Sequence, residues 1–147
     1  MRLFFITIWA TCLAVALWGT TPSAGQSRAP ASYTYILMVN IIGPAANTLW
    51  QTAGGSMLSD QDWDRAKEMA QRLMESAALL RSGGTSVEDI ERAKSREWET
   101  WAGKFADTVS LAATAANRKD RVAFAAAAGD LIEVCQGCHQ AFPQAKQ

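Results

Sequence analysis

Histidine is nearly missing from this chain: His139 is the only one among 147 residues. A single imidazole excludes a histidine-rich metal cage, and it excludes bis-histidine ligation within one chain. Net charge is missing too. Lys and Arg together number 14 and Asp and Glu together number 14, so no one-signed surface recommends nucleic acid or an anionic membrane as partner. Cysteine is sparse, with Cys12, Cys135 and Cys138 the only three. No stretch shows convincing strand alternation, no repeat of twenty to fifty residues occurs, and no segment is of low complexity. A Ser-His-Asp set, a glycine-rich phosphate loop and a cleft-forming carboxylate pair are all wanting. The chain is therefore not expected to be an enzyme.

What is present begins with "MRLFFITIWATCLAVALWGTTPSAG". Arg2 precedes an apolar run from Leu3 to Trp18, and Ser23, Ala24 and Gly25 supply the small side chains that signal peptidase needs. The run is shorter than the roughly 20 residues that cross a bilayer as a helix. Residues 1–25 read as a cleaved export signal, against an uncleaved anchor. A lipoprotein reading would need Cys12 as acceptor, and "WAT" before it is a poor lipobox. Cleavage removes Cys12 and leaves residues 26–147 as one domain, near neutral, with both remaining cysteines close together.

Four stretches have helical spacing, so the fold class is all-α. In "YTYILMVNIIGPAANTLW", Met38, Ile42, Ala45 and Leu49 share a face, and Gly43-Pro44 predicts a kink near Ile41. The second helix, "QDWDRAKEMAQRLMESAALL", has Ser59 or Asp60 as N-cap. Its inner stripe is Trp63, Ala66, Ala70, Leu73, Ala77 and Leu80. The third is expected to start at a Thr85–Glu88 capping box and to run unbroken to a cap at Asn117. Ile90, Trp98, Trp101, Phe105, Val109, Ala112 and Ala116 mark its buried side. The fourth spans about Asp120 to Phe142, with Phe124, Ala128, Leu131, Cys135, Cys138 and Phe142 on one stripe. Amphipathic helices joined by short loops pack most simply as an antiparallel bundle.

The fourth helix carries the chemistry, in "LIEVCQGCHQAFPQ". Residues three apart on a helix project from neighbouring turns of one face, so Cys135 and Cys138 can grip one planar group at two points. His139 follows at once and can serve as an axial ligand. C-x-x-C-H is the attachment signature of c-type haem. Structural zinc wants four ligands, and a third sulfur or second histidine does not exist in the mature chain. A thioredoxin-like pair belongs in an α/β fold. A plain disulfide made during export leaves the adjacent lone histidine unexplained. The expected cofactor is one covalent haem c, held by Cys135 and Cys138, with His139 as the proximal iron ligand.

Many cytochromes c carry this motif near the N-terminus, whereas here it lies on the last helix. That placement resembles the class II cytochromes c, the cytochrome c-prime family and its low-spin relatives. The likeness is carried by "AAAAGDLIEVCQGCHQAF", with Gly129 shortly before the first cysteine and an aromatic three residues after the histidine, and extends to "YTYILMVNIIG". It implies an antiparallel four-helix bundle with haem between the first and last helices, a periplasmic location, redox partner proteins, and a homodimer paired through the first two helices. The family often has Tyr then Arg after the histidine, where Phe142 and Pro143 stand here. It often places an arginine for a haem propionate where Thr34 stands, so Arg121 and Lys146 are the substitute candidates.

By the family pattern, the residue facing the open side of the iron falls at Met38. A thioether is a soft donor suited to haem iron, and methionine is equally apt as core filler. The other methionines are Met57, expected in a loop, and Met69 and Met74, expected in the core. Trp50, Trp63, Trp98 and Trp101 are assigned to core packing ahead of any cofactor contact. Two functions follow. With Met38 as distal ligand the chain is a periplasmic electron carrier, its iron cycling between ferric and ferrous. With that side open it binds nitric oxide or carbon monoxide. A third reading is a haem subunit docked to a dehydrogenase.

Overall fold

Proline and its neighbours shape the first helix. In the computed structural model, which describes residues 32–143, Ser32 caps α1 (Tyr33–Leu37), its Oγ accepting from the Tyr35 N–H at 3.2 Å. The expected export signal and Lys146 lie outside the described residues. The chain continues through a π-helical segment, Met38–Ile42, into α2 (Gly43–Ala53). Pro44 has no N–H to give the Asn40 carbonyl, and its ring crowds that carbonyl. The ladder widens in response: the Gly43 N–H reaches back five residues to the Met38 carbonyl. A β-carbon on Gly43 would stand 3.0 Å from that oxygen. The perturbation foreseen near Ile41 is therefore a widened turn spread over Met38–Ile42, a feature that recurs at functional sites.

Helix α3 (Asp60–Ser82) begins at a capping box. The Ser59 Oγ accepts from the Asp62 N–H at 3.2 Å, and the Asp62 carboxylate accepts from the Ser59 N–H at 2.9 Å. Trp63, Ala66, Ala70, Leu73, Ala77 and Leu80 are all buried, as their spacing requires. Gly83 ends the helix in the left-handed region, φ 72°, where a side chain would be strained.

The third helix of the sequence reading is two helices. A short α4 (Val87–Ala93) is followed by α5 (Arg96–Arg118), and Ser95 caps the second by accepting from the Trp98 N–H at 3.2 Å. The cap of α4 is Ser86 with Asp89, one residue beyond the expected Thr85 and Glu88. Asp89 has no exposed surface. It accepts from the Thr34 N–H at 3.0 Å and from Arg92 at 2.8 Å, so α4 is tied to the start of α1. Helix α5 closes at Lys119, φ 53°, rather than at Asn117. Helix α6 (Arg121–Ala141) starts at Asp120, whose carboxylate accepts from the Ala123 N–H at 3.0 Å.

All regular structure among the described residues is helical. Helix α3 packs against α5, α5 against α6, and α2 against both α3 and α6. The Trp98 indole N–H, near the start of α5, donates to the Leu80 carbonyl near the end of α3 at 2.8 Å. At the far end, Lys119 pairs with Asp60 at 2.6 Å. Helices α3 and α5 therefore run antiparallel. Leu49, Leu73, Val109, Phe124 and Leu131 are fully enclosed, each such apolar side chain contributing about 1.5–3 kcal/mol. Buried alanines at 66, 70, 112 and 116 keep α3 and α5 close. Trp63 meets Phe124 edge-to-face at 5.6 Å, and Trp98 meets Phe142 likewise at 5.1 Å. Among the described residues no helix is long and apolar enough to cross a membrane.

Candidate haem site

The tail of α6 and the π-helical turn share one cavity. It measures about 260 Å³ and opens at its mouth to solvent, near the lower end of typical ligand pockets. Met38 enters its lining from the widened turn. Cys135, Cys138 and His139 enter from α6. The remaining lining is apolar or aromatic. Ile42 comes from the π-helical segment, Ala46 from α2, Leu80 from α3, and Trp98, Trp101 and Phe105 from α5.

Each member is placed by local causes. Cys135 and Cys138 continue the stripe of Phe124, Ala128 and Leu131. They are half-buried, while the earlier members are buried, because the stripe runs out of the core and into the cavity wall. His139 lines the cavity and is exposed at its mouth. Met38 is half-buried and leans on the core. Trp50 is tethered across helices by its indole N–H, which donates to the Ala128 carbonyl at 3.0 Å. A β-carbon on Gly137 would come within 2.1 Å of the Trp101 ring, so only glycine there lets that indole reach the cavity beside the two cysteines.

No disulfide joins Cys135 and Cys138. Burial, with the nearby Cys138 charge adding to it, pushes the Cys135 thiol up to about 11, and burial also pushes the Cys138 thiol up. Redox-active and thiolate-donating cysteines show the opposite shift. Among the described residues no three His, Cys, Asp or Glu side chains converge as a metal-ion site. A bare ion is thus poorly served here. A broad, flat, apolar group with its own ring donors is better served: two thiols a helical turn apart could bond its rim, an imidazole could meet its centre, and the walls are oily. The residues present fit a tetrapyrrole.

Four sequence-derived candidates, Met38, Cys135, Cys138 and His139, come together. The other methionines do not join them: Met57 is 90 % exposed, Met74 is exposed, and Met69 packs on the core away from the cavity. Arg121 sits in the first turn of α6, about 21 Å along the axis from Cys135 at 1.5 Å per residue, and so lies far from the cavity. Thr34 is engaged with Asp89. Of the four tryptophans among the described residues, Trp50, Trp98 and Trp101 line the cavity, while Trp63 does not. Spacing alone marked Trp98 and Trp101 as buried. The sequence signal for more was the Gly137 within C-x-x-C-H, which leaves room for a large neighbour.

Compared with protein-family models, curated proteins and solved structures, the chain matches none.

Proposed function

We propose that this chain is an exported monohaem c-type cytochrome of the class II kind, an antiparallel four-helix bundle that carries single electrons between redox partner proteins in the periplasm. The observation that carries the reading is one apolar cavity lined by the Cys135 and Cys138 thiols, the His139 imidazole and, from another helix, the Met38 thioether. Cys135 and Cys138 would hold haem by thioethers. His139 and Met38 would hold its iron. The group supplies a one-electron iron couple. Everything else falls to the protein. The tryptophan and aliphatic walls keep water away, and an apolar shell with sulfur and imidazole donors favours the less charged, reduced state. No substrate bond is made or broken, so the protein is not read as an enzyme.

A second reading, binding of nitric oxide or carbon monoxide at a five-coordinate iron, draws support from Met38 leaning on the core as ordinary filler would. One ferric absorption spectrum of the mature holoprotein decides between them. A low-spin spectrum with the weak far-red sulfur-to-iron band supports the carrier. A high-spin spectrum supports gas binding and removes Met38 from the site.

A further inference from the structure

A haem carries two carboxylates, and among the described residues the cavity lining holds no lysine or arginine to meet them. Among the described residues four basic side chains deserve comparison. Arg121 is at the wrong end of α6. Arg92 stands 5.9 Å from the Trp98 ring centroid, but its guanidinium is committed to Asp89 at 2.8 Å and Glu88 at 3.0 Å. The end of Arg81 lies over Gly103, which does not line the cavity. Lys104 differs from all three. Its ammonium sits over the Trp101 ring, 4.4 Å from the centroid, and Trp101 is itself cavity wall. Lys104 is exposed, and among the described residues no carboxylate lies within ion-pairing distance of it.

We propose that Lys104, positioned on the Trp101 indole, is the cation that receives a carboxylate of the bound tetrapyrrole. The assignment rests on the haem reading above. The chain of placement is physical. Gly137 admits Trp101 against α6. The indole face attracts the ammonium and holds it against a residue of the cavity wall. The ammonium, unpaired by protein acids, then offers a charge-assisted hydrogen bond. Glutamine at 104 keeps length and polarity and removes the charge, and arginine keeps the charge.

The test is resonance Raman spectroscopy of holoprotein carrying the native residue, Lys104→Gln or Lys104→Arg, read at the carboxylate-bending band of the haem. Lys104 is on the surface, so none of these variants threatens folding. Lys119→Gln, at the far end of α5, is the control. The expected result is a shifted band in Lys104→Gln, restored toward native in Lys104→Arg and unchanged in Lys119→Gln. Haem-loaded protein with one band position in all four forms would overturn the Lys104 assignment alone. Protein that matures without haem would overturn the tetrapyrrole reading and this one with it.

Discussion

Gly137 of α6 and Trp101 of α5 are in such close register that a β-carbon on the glycine would lie 2.1 Å from the indole Cη2. Gly129, two turns earlier on the same helix, would meet nothing within 4 Å. The two glycines should respond to alanine with opposite signs. Alanine is worth about 1 kcal/mol over glycine inside a helix. At Gly129 that gain stands alone, so Gly129→Ala should stabilise by about 0.5–1 kcal/mol. At Gly137 it is set against overpacking of about 1–3 kcal/mol, so Gly137→Ala should destabilise and displace Trp101. Urea denaturation followed by tryptophan fluorescence measures both. A stabilising Gly137→Ala would show that the indole is not held there.

Asp89 should make stability sensitive to acid. Burial pushes its carboxyl up, but the Thr34 N–H, the Ser86 hydroxyl and the Arg92 guanidinium together outweigh that and hold it below its ordinary 3.8. A carboxyl lowered by folding contributes stability above the unfolded value. It loses that contribution as pH falls through the folded value. The tie between α1 and α4 should therefore hold at neutral pH and weaken progressively as pH falls below about 4. Asp89→Asn should cost about 1.5–3 kcal/mol at pH 7 and less at pH 2.5. Paired denaturation curves at the two pH values check it. An equal loss at both would show that the charge does not matter.

Met38 should control the spin state. Replacing it with alanine removes the thioether from the cavity and should convert a low-spin ferric spectrum to high-spin, with loss of the far-red band and new binding of carbon monoxide to the reduced protein. Met74→Ala, at an exposed site outside the cavity, should leave the spectrum unchanged. Identical spectra for native and Met38→Ala would assign Met38 to packing.

Much of this was legible because helical burial is periodic. The stripe from Trp63 to Leu80 emerges buried throughout, and Phe124, Ala128 and Leu131 do the same on α6. Periodicity could not reveal the break at Ser95. Ile90 and Trp98 are eight residues apart, close to two helical turns, so two helices in sequence mimic one. Ile90 in fact lies at the surface. Nor could local pattern choose between Thr85 with Glu88 and Ser86 with Asp89, since both satisfy capping spacing. The choice is made by a distant partner, the Thr34 N–H that needs the Asp89 carboxylate. The widened Met38–Ile42 turn was foreshadowed by Pro44 as a disturbance, but its form depends on Gly43 leaving space for the Met38 carbonyl. The convergence of Cys135, Cys138 and His139 on one cavity was readable from their spacing on a single helix. Its tryptophan walls depend on how α5 and α6 meet, which no single helix encodes.

Intact-mass spectrometry of the protein, exported in a host that possesses haem-ligation machinery, bears most directly on the central claim. The polypeptide should weigh one haem more than its mature sequence and yield no titratable thiol, and the increment should disappear in the Cys135→Ser, Cys138→Ser double variant. A native product at the bare polypeptide mass, with its two sulfurs reduced or bonded to one another, would contradict the account.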